Sequence, residues 1–158
     1  MNKMIFDIGA NSGSYSKEYS KNGFKVVAVE PQKQLCSRIA EEQPNVIVVN
    51  ALVGKSTEPL DFFVCNADTL STSSVDWMTK GRFANQYRWQ YAGKIPCVSL
   101  DQLIQEYGVP FYIKIDVEGS EVEVLSSLTK KADCLLSFEW VEEFKEKSID
   151  AIDCLKSI

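Results

Sequence analysis

Apolar residues gather in short runs separated by longer polar stretches of helical period. MIFDI at Met4–Ile8, KVVAV at Lys25–Val29 and VIVV at Val46–Val49 are followed by FYIKIDV at Phe111–Val117 and CLLSF at Cys134–Phe138. Runs this short, β-branched and nearly unbroken predict strands buried on both faces, as in a parallel sheet. Between them the pattern predicts helices over Ser14–Asn22, Pro31–Glu42, Ser99–Tyr107, Glu118–Leu128 and Val141–Ser157. Ser99 and Gln102 have capping-box spacing, and Gly23 and Gly108 stand where helices end. In the last helix Phe144, Ile149, Ile152 and Leu155 make the expected inward row. Strict alternation of strand and helix implies βαβ units and a doubly wound α/β fold.

The rhythm breaks in the middle of the chain. Leu52–Val53 and Leu60–Val64 flank a GKSTEP turn and predict a small hairpin. Residues 66–93 are rich in Ser, Thr and aromatics without a clean period. Such an insertion is either a cover over a site or a surface excursion. Trp77, Phe83, Tyr87, Trp89 and Tyr91 accordingly read as a lid or stacking wall, or as packing beneath it. Residues 1–158 read as one domain, since a chain of this length buries about 70% of its unfolded surface unaided.

Composition narrows the chemistry. A net charge of −5 with no basic stripe argues against a nucleic-acid partner. No apolar run approaches a membrane span, and Asp7 interrupts the N-terminal run too early for a signal peptide. Five widely spaced cysteines and no histidine exclude a Cys/His zinc site and point to a reduced, cytoplasmic protein. Proton transfer then falls to carboxylates, lysine, tyrosine or water. Nothing in the sequence sets an oligomeric state.

Polar residues concentrate where strands end, which is where ligands bind in open α/β sheets. Asp7-Ile8-Gly9-Ala10-Asn11-Ser12-Gly13 follows the first strand, Glu30-Pro31 the second and Asn50-Ala51 the third. Asp116-Val117-Glu118-Gly119 follows the fourth and Glu139 the fifth. The first loop is D-x-G-x-x-x-G, which by itself is only a tight turn. An acid at its start suits an amino-bearing or cationic ligand better than the pyrophosphate of a dinucleotide, which disfavours an oxidoreductase. Glu30 is placed to accept both hydroxyls of a ribose. A nucleoside with a cationic, phosphate-free tail fits both features, and S-adenosylmethionine is such a ligand.

The block IKIDVEGSEVEVLSSL, Ile113–Leu128, resembles the signature of FkbM-type methyltransferases, a branch of the class I S-adenosylmethionine-dependent O-methyltransferases. FDIGANSGSYS, AVEPQ, TLSTSSVDW with GRF, VSLDQLI and SFEW with EF resemble further blocks in the same order. The resemblance implies a mostly parallel Rossmann-like sheet and S-adenosylmethionine as cofactor, with a hydroxyl of a sugar or other small metabolite as acceptor. Asp7, Gly9, Asn11 and Gly13 would shape the methionine end of the pocket. Glu30 and Pro31 would serve the ribose, and Asn50 and Ala51 the adenine. The family's usual sequence before the first strand and strand pair after the last helix are expected to be missing. That leaves a non-catalytic cofactor- or partner-binding remnant as the alternative.

For the chemistry itself, Asp116, Glu118 and Glu139 are the candidate bases, with Lys114 as charge partner on the same strand face as Asp116. Lys114 and Asp116 read equally as a structural pair, and Glu118 and Glu121 as helix N-terminal acids. Asp116 and Glu139 would be the pair to share a divalent cation, but no metal is assigned. Ser71, Thr72 and Ser74 are candidate hydrogen-bond donors at the mouth.

Overall fold

The computed structural model describes residues 3–156. A first run of elements alternates as the pattern predicts: β1 (Met4–Ile8), α1 (Ser14–Lys21), β2 (Lys25–Val29), α2 (Lys33–Glu42) and β3 (Val46–Val49). The middle holds β4 (Leu52–Val53), β5 (Leu60–Cys65), α3 (Val75–Lys80), β6 (Trp89–Ile95) and β7 (Cys97–Val98). Alternation then resumes with α4 (Leu100–Tyr107), β8 (Tyr112–Ile115), α5 (Glu121–Leu125), β9 (Leu135–Phe138) and α6 (Lys145–Lys156).

The five long-pattern strands form one parallel sheet in the order β3-β2-β1-β8-β9. β1 lies at its centre, with Phe6 in register with Val27 on one side and Ile113 on the other. Alternation along these strands feeds two cores. Phe6, Ile8, Val27, Ile113 and Ile115 pack against Leu103 of α4, Val124 of α5 and Ala151 of α6. The opposite face joins Val26, Ala28 and Val46 to Ile39 of α2, with Tyr19 of α1 beside them. The result is the three-layer doubly wound arrangement that strictly alternating elements favour.

Several boundaries contract for local reasons. The helix expected from Glu118 begins at Glu121, because Glu118 (φ 55°) and Gly119 (φ 91°) sit in the left-handed region, which no α-helix admits. The helix expected from Pro31 starts at Lys33: a Glu30 carboxylate oxygen takes the Gln32 N–H and Asn50 holds the Pro31 carbonyl, leaving Gln32 extended. α6 is shorter and rotated from its expected face. A 3₁₀ turn at Glu142–Phe144 precedes it, and the Ser148 hydroxyl accepts the Val141 N–H. Ser148 and Ala151 are therefore buried, while Ile149 and Ile152 are 43% and 37% exposed. Ser157, the expected last helical residue, lies outside the described residues.

The small hairpin is not formed. Leu52–Val53 pairs in parallel with Cys97–Val98, and Leu60–Cys65 pairs antiparallel with Trp89–Ile95. Val53 packs into the main core, which sends β4 toward the sheet and frees β5 for a distant partner. The aromatic insertion folds as its own small core: Trp77, Cys65, Leu70 and Val141, with Phe83, Tyr87, Trp89 and Phe144 against them. Four of the five aromatics expected at a lid or as packing are thus packing; Tyr91 pairs with Phe63 and is 55% exposed.

Candidate functional site

Strand order reverses beside β1: the chain leaves it for β2 on one side and returns to β8 on the other. The carboxyl ends of β1, β2 and β8 are stitched together there. Val29 O accepts the Gly9 and Ala10 N–H groups, and Ile8 O accepts the N–H of Asp116. Gly9 has φ 78°, and a Cβ on it would lie 1.8 Å from the Asp116 carbonyl oxygen, so no other residue lets these two backbones meet. Gly13 (φ 74°) starts α1, where a Cβ would press on Ile39 and Gln43.

A cavity of about 220 Å³ opens over these ends. Of the expected cofactor residues, Gly9, Asn11, Glu30, Pro31 and Ala51 line it. Glu30 is only 3% exposed, and its two oxygens accept the Asn11 and Gln32 N–H groups, each at 2.8 Å. Burial raises its pKa, and those two donors oppose the rise. Each carboxylate oxygen keeps a free lone-pair direction for a ligand hydroxyl.

The remaining three stand behind the wall. Asp7 is fully buried: Oδ2 accepts the Ser16 hydroxyl at 2.6 Å, and Oδ1 lies 3.6 Å from Lys114 Nζ without a hydrogen bond. Gly13 shapes the turn from beneath. Asn50 is exposed at the outer edge, its amide donating to the carbonyls of Glu30 and Pro31. Sequence reasoning did not single out Tyr15, Gln32, Leu52 or Phe62, which also line the cavity. Leu52 and Gln32 each stood one residue past a recognised strand-end pair, and Tyr15 and Gln32 lay inside the FDIGANSGSYS and AVEPQ blocks.

Lys114, Asp116 and Glu118 form the opposite wall. Lys114 Nζ is 3.1 Å from Asp116 Oδ2 and 4.9 Å from the centre of the Tyr15 ring. Asp116, Glu118 and Glu139 bring carboxylate oxygens within 4.8 Å of one another, and Arg82 of the insertion reaches Glu139 at 3.1 Å. Burial first, then the charges of Glu139, Asp116 and Glu121, push Glu118 up to about 8, with Arg82 opposing. The trio has the oxygen donors a divalent cation takes. The Arg82 contact offsets part of its charge. Glu121 turns back to the Val117 and Gly119 N–H groups, which suits the helix-terminal reading. Ser71 and Ser73 line the cavity, whereas Thr72 and Ser74 lie behind it.

A three-layer α/β domain with a cavity at the strand-order reversal, an acid at the end of the second strand and a glycine turn after the first has the class I methyltransferase architecture. The chain belongs to a family within that class: the family described as methyltransferase FkbM domain matches residues 7–152. Its cofactor is S-adenosylmethionine. No curated protein matches the sequence significantly. Among the solved structures that match, two share the fold over nearly the whole chain. One is a precorrin-6y C5,15-methyltransferase from Geobacter metallireducens GS-15, with TM-score 0.52, 16% identity and coverage of 98% of this chain and 61% of that one. The other is a TehB-like SAM-dependent methyltransferase from Corynebacterium glutamicum ATCC 13032 Kitasato, with TM-score 0.51, 12% identity and coverage of 97% and 65%. The chain thus spans less than two thirds of the length of either.

The cavity fits the cofactor by its own chemistry. Glu30 offers a buried, braced carboxylate for a diol. Gly9 lets the loop after β1 lie directly against the Asp116 backbone at the edge of the cavity, and the Asp116 carboxylate on its wall suits a sulfonium.

Proposed function

We propose that this domain transfers a methyl group from S-adenosylmethionine to a hydroxyl of a sugar or other small metabolite. The observation that carries the reading is a single cavity bounded on one side by braced Glu30 and on the other by Lys114, Asp116 and Glu118. The cofactor supplies an electrophilic methyl on a sulfonium; the protein's part is alignment and proton removal. Asp116 is the group that takes the proton an alcohol loses as its oxygen gains the methyl. Lys114 at 3.1 Å keeps that carboxylate oriented. From Asp116 the proton passes to water. The Ser71, Ser73 and Ser120 side of the cavity offers hydroxyls to a polyol acceptor. Five free cysteines support a reduced, cytoplasmic setting, and no helix among the described residues is long and apolar enough to cross a membrane.

Isothermal calorimetry with S-adenosylhomocysteine tests the reading. Binding is expected, and Glu30→Ala should weaken it about tenfold or more, the loss of one charge-assisted hydrogen-bonding group. Folded protein that takes up no ligand would sink the proposal. Binding without methyl transfer across a panel of sugar alcohols would leave the non-catalytic remnant as the reading.

A further inference from the structure

The insertion and the Asp116–Ser120 loop meet through a contact that the cofactor site does not explain. Thr72 is 1% exposed, yet it lies in the polar TLSTSS stretch. Its backbone bridges to Phe63 of β5 in both directions, which fixes it to the antiparallel ladder. Its hydroxyl donates to the carbonyl oxygen of Glu118 at 2.7 Å and accepts the Ser74 N–H at 2.8 Å. One residue on, the Ser73 hydroxyl is 3.0 Å from that of Ser120. Trp77 closes the contact from below, 3.1 Å from where a Gly119 Cβ would stand.

The carbonyl that Thr72 grips belongs to a residue in an unfavourable backbone state. Glu118 has φ 55°, a region in which a long side chain costs free energy and persists only when its surroundings impose it. That conformation is also what turns its carboxylate toward Asp116 and Glu139 instead of along a helix starting at Glu118.

We propose that Thr72 is a positioning residue of the active site: its hydroxyl holds the Glu118–Gly119 turn in the left-handed conformation that places the Glu118 carboxylate in the cavity. What the placed carboxylate is used for rests on the methyltransferase reading; the clamp itself does not. It makes the insertion a structural part of the site, because Thr72, in the segment after β5, is bridged to that strand, and the loop after β8 carries Glu118.

A double-mutant cycle in the full chain tests this. Thr72→Val keeps the shape and loses the hydroxyl, while Thr72→Ser keeps the hydroxyl. Glu118→Gly makes positive φ free of strain. Thr72→Val should lower the melting temperature less in the native background than in the Glu118→Gly background, because a released Glu118 turn sheds strain that a glycine turn never had, the non-additivity expected of coupled residues. Thr72→Ser should retain most of the native value. Equal losses in both backgrounds, or a larger loss in the native one, overturn the proposal. If Thr72→Val does not fold, a folded Thr72→Ser supports the clamp, and a Thr72→Ser that fails to fold as well overturns it.

The second readout is carbon-detected NMR titration of Glu118, whose carboxyl faces Asp116, Glu139, Glu121 and Arg82. Released from the trio by Thr72→Val, it should titrate about one pH unit or more lower, since like charges and burial hold it up. Thr72→Ser should leave it in place. An unchanged titration in folded Thr72→Val also overturns the proposal. Neither measurement uses the cofactor, so failure of S-adenosylhomocysteine to bind would sink the proposed function and leave the clamp standing.

Discussion

Gly9 shows how tightly single positions constrain the cavity. Its Cα passes so close to the Asp116 carbonyl that a methyl group would overlap it at 1.8 Å, and its φ of 78° is strained for any L side chain. Gly9→Ala should destabilise the protein by at least about 3 kcal/mol in urea unfolding, because backbone must move at the junction of three strands. Glu118 sets a pH signature. With its folded pKa near 8 against an ordinary 4.5, the native state holds a proton that the unfolded state has released. That contribution is complete below about pH 4.5 and declines as pH rises toward 8, by up to about 1.4 kcal/mol per pH unit. Glu30 and Glu121 are shifted the same way and add to the slope. Glu118→Gln should flatten the curve of unfolding midpoint against pH and make the protein more stable than native at pH 8; an unchanged slope would show Glu118 titrating in its ordinary range. Strand-end chemistry of this kind was legible in the sequence because polar residues there have no other reason to interrupt apolar runs. Asp7 and Asn50 illustrate the limit. Their positions were readable, but whether a side chain faces the cavity or braces it depends on partners such as Ser16 and the Glu30 carbonyl, which spacing does not reveal.

Among the elements, those with a regular period were legible and those held by distant partners were not. β1, β2 and β3 fall where unbroken β-branched runs place them, and the Ser99 capping box forms as its spacing predicts. β5 and β6 pair across more than twenty intervening residues, so no local turn announces them. α3 lacks a readable period because it is six residues long, and one large side chain, Trp77, supplies its burial. Its attachment is electrostatic as well. Asp76 is bonded to Lys80 within α3 and to Lys147 of α6, both at 2.9 Å, which draws its pKa down to about 2. The pair of amines ties the insertion to the last helix at the surface. Lys147→Met should speed amide exchange through residues 75–80 while leaving β1 and β2 unaffected, and high salt should mimic it in the native protein. Exchange in α3 that ignores both would show that Trp77 alone holds the helix.

Across the whole molecule, protection should follow position in the sheet. β1 has hydrogen-bonded strands on both sides and helices on both faces, and Phe6, Val26, Val27, Ala28 and Ile113 beside it are completely buried. Opening it requires breaking both cores at once, so its amides should exchange only through global unfolding. Among the described residues β9 has a neighbour on one side alone, Leu135 is 60% exposed, and α6 beyond it leaves Ile149 and Ile152 in solvent. An edge so placed opens without disturbing β1, so β9 and α6 should exchange orders of magnitude faster by a sub-global route. The cavity sits on the protected side of this gradient, at the ends of β1, β2 and β8, while Glu139, just past β9, does not line it and meets the Asp116 and Glu118 carboxylates. Addition of S-adenosylhomocysteine should therefore slow exchange at Gly9–Ser12 and Glu30–Gln32 most, and at β9 least. Native-state hydrogen exchange with and without the ligand measures both gradients. β9 amides as slow as those of β1 in the free protein would mean that the edge is covered by another copy or another chain, and the site would then have to be considered with that partner in place.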